Sequence, residues 1–209
     1  MFITFEGGEA AGKTTLARIL AKKLKKDNYE VLLTKQPGGY PSFSFIRQTL
    51  LNPEMPAISL QTEALLYAAD RIEHLNHIIL PALQNKNIVI CDRYVDSSFV
   101  YQGYARQLGK DYIAQINDFA LKHPPNITFY LDLDPEIAKR RLAFFRSGTQ
   151  NRLDLEKVQF HQKIREGYLQ LAKQEPKRII TINADDSLAK ISFVIYRKVK
   201  ALLCRLNHC

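Results

Sequence analysis

The sequence predicts a doubly wound α/β fold: a central parallel sheet of about five strands with helices on both faces, in a single domain spanning residues 1–209. Three observations carry this. Short β-rich runs alternate with longer helical patterns along the chain. Most of the strand-like runs are nearly all apolar, as strands covered on both faces must be. The joins carry breakers, at Pro37-Gly38-Gly39, from Pro53 to Pro56, and at Pro124-Pro125.

The elements follow in order. Phe2–Phe5 is an apolar, aromatic-rich strand, and a glycine-containing turn leads from it into a helix over Lys13–Lys26. A second strand, Glu30–Thr34, ends at the Pro-Gly-Gly break, and Ser42–Leu51 reads as a helix. A long helical pattern covers Leu60–Gln84 and stops before the strand Ile88–Cys91. Tyr112–Lys122 is helical and gives way at the Pro-Pro pair to the strand Ile127–Leu133. Helices over Pro135–Phe145 and Leu155–Glu175 flank an arginine-rich stretch, and Arg178–Ile182 is the last strand. In Ser187–Leu206, Leu188, Ile191, Ile195, Val199 and Leu202 recur at near-helical spacing. There is no internal repeat and no low-complexity segment.

Composition bounds the function. Hydrophobic residues are 46 % of the chain, enough for a full core. A net charge of +9 favours anionic partners, nucleotides and nucleic acid alike. Cys91, Cys204 and Cys209 are an odd set without a secretion signal, which suggests a reducing, cytoplasmic setting. Cys204 to Cys209, with His208, lacks a second ligand pair, so no metal is expected there. No apolar stretch approaches the ~20 residues of a membrane span.

The sharpest signal is Gly7-Gly8-Glu9-Ala10-Ala11-Gly12-Lys13-Thr14, followed by Thr15, between a strand and a helix. Glycines let backbone N–H groups turn inward around phosphate oxygens. The helix that follows points its positive end at the same anion. Lys13 suits the β- and γ-phosphates, and the Thr14 hydroxyl suits Mg²⁺. The pattern predicts a P-loop fold that binds a nucleoside triphosphate with Mg²⁺. It does not say what becomes of the phosphate. A chain of 209 residues leaves little room for a motor, and no N-K-x-D guanine-reading motif is present, which favours a small-molecule kinase.

Candidate acceptor residues come from three places. Asp92 and Arg93 end a buried strand, where parallel sheets hold their ligands. There Asp92 could hold Mg²⁺ through water, and Arg93 could clamp a phosphate with its planar fork. Tyr67 and Arg71 are four apart on a helical pattern and share a face, an aromatic ring beside a guanidinium that suits a nucleobase. Arg140, Arg141, Arg146 and Arg152 surround a loop that could close over a triphosphate and exclude water.

Together these segments resemble the thymidylate kinases of bacteria. The resemblance runs through Phe5-Glu6-Gly7 to Thr15, Pro37-Gly38-Gly39, Glu63 to Arg71, Asp92-Arg93-Tyr94 with Ser97-Ser98 and Tyr101-Gln102-Gly103, Tyr130-Leu131-Asp132, and the later arginines. It implies transfer of the terminal phosphoryl group of ATP to dTMP, a homodimer, and a short mobile lid at about 141–154. It implies no membrane or nucleic-acid partner. By position it places Glu9 near the dTMP sugar, Tyr67 against thymine, Arg71 on the base or its neighbours, and Arg93 on the acceptor phosphate. Ser98 and Gln102 fall near the thymine edge, and Tyr101 crowds the sugar 2′ position. Pro37 belongs to the acceptor loop, and Arg141, Arg146 and Arg152 are the lid cations. The chain departs from the pattern at Ala10, at Gln36 and Tyr40, and at Asn151-Arg152-Leu153-Asp154. Alanine at position 10 restricts positive φ and supplies no cation, so charge stabilisation falls to the lid. Two other readings remain at this level: a kinase for a different monophosphate or a deoxynucleoside, and a non-catalytic ATP-binding module that contacts nucleic acid.

Overall fold

The computed structural model describes residues 1–145 and 150–206. Five strands form one parallel sheet: β1 Phe2–Gly7, β2 Val31–Lys35, β3 Ile88–Asp92, β4 Ile127–Asp132 and β5 Ile179–Asn183. Their order is β2-β3-β1-β4-β5, so β1 lies at the centre. The register aligns the carboxyl ends, with Lys35 opposite Asp92, Phe5 opposite Asp92, and Gly7 opposite Leu131. The chain steps from β1 to the edge strand β2, returns to β3, and then crosses β1 to β4 and β5, and a crevice opens over the carboxyl ends of the central strands.

The pleat explains the two faces. Ile3 and Phe5 point to one face, where they pack with Leu16, Leu20 and Leu24 of helix α1 (Lys13–Lys26) and with Ile191, Ile195 and Val199 of the C-terminal helix Leu188–Leu206. Phe2, Val89 and Cys91 serve the other face, against Leu75, Ile79, Tyr94 and Val95. There Thr4 and Thr128 share a hydrogen bond of 2.7 Å, so the buried hydroxyls are satisfied.

Strand positions follow the sequence reading to within two residues, and the helices to within three, with three exceptions of substance. The long pattern Leu60–Gln84 is continuous but not uniform. Helix α2 is Ser44–Leu51, and α3, Leu60–His74, passes through a π-turn at Leu75–Ile79 into α4, Leu80–Gln84. Pro81 is the cause: its ring displaces the carbonyl four residues back, and a wider turn absorbs it. The pattern Tyr112–Lys122 breaks at Asn117, where φ is −113°. Its side chain there donates to the Ile113 carbonyl and accepts from Arg71. A helix not foreseen, α5 Val95–Ser98, continues through a second π-turn, Phe99–Ala105. Its valines and aromatics have weak helix propensity, and packing on Ile164 and Tyr168 overrides it.

Candidate active site

A cavity of about 730 Å³ opens over the carboxyl ends of β1 and β3. That is the size of a small-molecule site. One side is the loop Gly7–Thr15. Gly12 caps α1 at φ 89°, a left-handed turn that glycine allows. Ala10 also stands in the left-handed region, at φ 54°. Alanine therefore does not keep the loop from that conformation, contrary to the sequence expectation. The loop's turn overrides the preference, at a cost. The Lys13 ammonium donates to the Gly8 carbonyl at 2.6 Å. Burial, and then the nearby Arg93 charge, lower its pKa to about 8, with Glu9, Asp92 and Glu6 opposing. Among the described residues the Lys13 ammonium forms no ion pair, an arrangement that suits an anionic ligand.

The Thr14 hydroxyl donates to the Asp92 carboxylate across the cavity floor. This places one hydroxyl and one carboxylate oxygen together, the donors a hard cation such as Mg²⁺ prefers. Among the described residues no three His, Cys, Asp or Glu side chains cluster to hold a metal. The pair therefore fits a cation completed largely by phosphate and water.

Arg93 turns at φ 71° immediately after β3, an uncommon conformation for a long side chain. It donates to the Gly7 carbonyl at 2.9 Å and to Glu9, and stacks on the Tyr101 ring at 4.9 Å. The Tyr101 hydroxyl donates to Glu9 as well, at 3.2 Å. Burial alone would lower the Arg93 pKa, but Glu9 and Tyr101 outweigh it and hold the guanidinium charged. Beneath lies Glu6, fully buried. It accepts from the Tyr94 amide, Ser97 and Tyr168, while burial and then Asp96 push its pKa up.

The base-facing candidates also converge. Tyr67, Arg71, Ser98, Tyr101 and Gln102 all line the cavity. Arg71 is 2 % exposed and donates to Gln36 at 3.0 Å, to Ser98 at 3.0 Å and to Asn117. Burial raises the Tyr67 pKa, with Glu63 adding to the shift. Pro37 lines the cavity too, its carbonyl accepting from Arg47 at 2.9 Å.

The arginine-rich segment divides. Arg141 lies on the helix Pro135–Phe145, lines the cavity, and donates to the Ala184 carbonyl and to Asp185. Arg152 is not among the cavity-lining residues. Its amide donates to the Leu51 carbonyl at 2.9 Å, and its side chain stands 4.0 Å from Glu63. Arg146 lies outside the described residues, as do His208 and Cys209.

The family model described as thymidylate kinase matches residues 5–194. The chain belongs to the thymidylate kinase family. Among its relatives, a thymidylate kinase of Aster yellows witches'-broom phytoplasma is 52 % identical over 201 residues, covering 96 % of this chain and 97 % of that one. Another, of Bacillus licheniformis, is 46 % identical over 189 residues, covering 90 % and 89 %. The crystal structure of thymidylate kinase from Ehrlichia chaffeensis superposes with a TM-score of 0.78 at 32 % identity, covering 96 % of this chain and 98 % of that one.

Sequence reasoning missed several residues in and around this cavity. Arg47 lines the cavity and donates to the Pro37 carbonyl, but the helix read over Ser42–Leu51 has no motif around it that marks it as a site residue. Asp70 accepts from the Gly38 amide at 2.9 Å. His74 packs so close below the loop that a Cβ on Gly39 would lie 2.3 Å from its Nε2. The four-residue spacing of Asp70 and His74 on α3 is the only hint the sequence offers.

Proposed function

We infer that this thymidylate kinase brings two anion sites face to face in one cavity, and that this carries its chemistry. The reaction moves the terminal phosphoryl group of ATP to dTMP, giving dTDP and ADP. The observation that supports it is the opposition of Lys13, in the phosphate loop, to Arg93, at the end of the neighbouring strand, with an aromatic and polar base site beyond.

The acceptor phosphate of dTMP is itself an anionic nucleophile, so no general base is required. Lys13 neutralises the β/γ oxygens of the donor, and the loop amides of Gly7–Thr15 cradle them. Arg93 leaves Glu9 in part to grip and align the acceptor for in-line attack. Tyr67 stacks on thymine, Arg71, Ser98 and Gln102 face its edge, and Tyr101 with Glu9 crowds the sugar. Mg²⁺, held by Thr14 and Asp92, would supply charge neutralisation on the transferring group. Residues 141–154 act as a lid, with Arg141, Arg146 and Arg152 as its cations. A cytoplasmic homodimer completes the reading. Leu60 and Leu65 on α3 are exposed and apolar, and no helix among the described residues is long and apolar enough to cross a membrane.

The test is ADP release from ATP and Mg²⁺ with dTMP, dUMP, dCMP or dGMP in turn. Release with dTMP above all others is expected. Release with a different monophosphate would keep the kinase and discard the base-site roles. ATP binding without release would return the non-catalytic reading.

A further inference from the structure

We infer that Glu63 is a positioning residue that sets the hydrogen-bond polarity of the base site, and so selects a pyrimidine whose N3 carries a hydrogen. The inference rests on the thymidylate kinase reading and adds a specificity determinant to it.

Glu63 is 4 % exposed, in the first turn of α3. Its Oε1 accepts from the Gln102 amide nitrogen at 2.9 Å. Arg106 Nε lies 3.8 Å from that same oxygen, and Arg152 Nη2 lies 4.0 Å from the other, so two guanidiniums flank the buried carboxylate. An ionised carboxylate only accepts hydrogen bonds. Gln102 must therefore present its NH₂ to Glu63, and a flipped amide would set two oxygens against each other.

The consequence falls on the other end of the amide. Gln102 Oε1 accepts no hydrogen bond among the described residues, yet it is not among the buried side-chain atoms left without a partner. It thus keeps accessible surface, and Gln102, itself only 3 % exposed, lines the cavity. One helical turn before it, Ser98 accepts from Arg71, whose remaining N–H groups are donors. The base edge therefore meets an acceptor from Gln102 beside a donor from Arg71. Thymine offers the complement, a donor at N3 and an acceptor at O4. Cytosine offers the reverse, a lone pair at N3 and an amino group at C4. Without Glu63's constraint the Gln102 amide can rotate and present its carbonyl to thymine N3–H or its NH₂ to cytosine N3.

The experiment measures kcat/KM for dTMP and for 5-methyl-dCMP, which keeps the methyl group and sugar and changes only the N3/C4 edge. Wild type, Glu63→Gln and Glu63→Asp are compared. Glu63→Gln is expected to lower the dTMP preference about five- to tenfold, the worth of one neutral hydrogen bond, by raising the KM for dTMP while improving 5-methyl-dCMP. Glu63→Asp keeps an acceptor-only group and should retain the wild-type ratio even if both rates fall. Equal losses on both substrates in Glu63→Gln, or a ratio lost equally in Glu63→Asp, would reduce Glu63 to packing. Should Glu63→Gln not fold, Gln102→Leu decides: removing the carbonyl must cut the same ratio, and an unchanged ratio overturns the proposal. A wild-type enzyme inactive on dTMP would instead sink the thymidylate kinase reading itself.

Discussion

Lys13 is the residue on which most depends. With its pKa lowered to about 8 in the free protein, part of the population is neutral between pH 8 and 9. A bound triphosphate favours the charged form, so ATP binding in that window takes up protons and weakens as pH rises. Calorimetry at pH 8.5 in two buffers of different ionisation enthalpy should show the uptake, and Lys13→Ala should abolish it along with nearly all turnover. Near-normal turnover in that variant would remove Lys13 from the mechanism. His74 works in the opposite region. Burial, then Arg71, lowers its pKa to about 4. The unfolded chain, with an ordinary histidine near 6.5, therefore binds the extra proton first, and stability falls as pH drops from 6.5 toward 4, by about 3 kcal/mol at the end. Asp70, whose pKa is raised by burial, acts with the opposite sign. Urea midpoints of wild type and His74→Gln at pH 7 and pH 4.5 isolate the histidine, since the variant should lose the steeper part of the decline. Ala10→Gly should stabilise the free protein by about 0.5–1 kcal/mol by relieving the left-handed alanine, read from the same midpoints. The phosphate loop was legible because its parts are consecutive. The Arg71 contacts with Gln36 and Asn117 bridge 35 and 46 positions, and no periodicity announces such partners.

At the scale of elements, the strands were readable because each is a short apolar run between breakers, and their edges moved by only a residue or two. The region from Val95 to Ala105 was not, because its residues favour strand and only contact with Ile164 and Tyr168 makes it helical. Two predictions belong here. The Pro37–Gly39 loop rests on α3 so tightly that Gly39→Ala forces a Cβ against His74 and against the Lys35 carbonyl, 2.4 Å away. Backbone cannot yield as a flexible side chain would. A loss of about 1–3 kcal/mol in stability is expected, with a higher KM for dTMP. An unchanged KM would mean that the loop does not touch the acceptor. For Arg152, a lid cation should lower kcat more than dTMP binding when replaced by Ala. An effect on KM alone would leave it where this structure holds it, beside Glu63.

For the whole molecule, the two halves of the cavity should respond together to ligand. Saturation with either nucleotide at about a hundred times its Kd stabilises by about 2.7 kcal/mol. In a chain of 209 residues that is a Tm rise of roughly 5–10 °C, measurable by thermal shift, and a rise with ATP but none with dTMP would remove the acceptor site. The parallel order was inferable from alternation alone, whereas the position of each strand in the sheet was not, since alternation is silent on which neighbours pair. That order has a bearing on the protein's history. The donor loop hangs from β1 and Arg93 follows β3, both flanked by strands on either side, while the Pro37–Gly39 loop hangs from β2 at the rim. Change in β1 or β3 disturbs a strand paired on both sides, whereas change in β2 disturbs a strand paired on one side only. Lineages descending from this chain are thus freer to vary β2 than the two strands that carry the phosphate loop and Arg93.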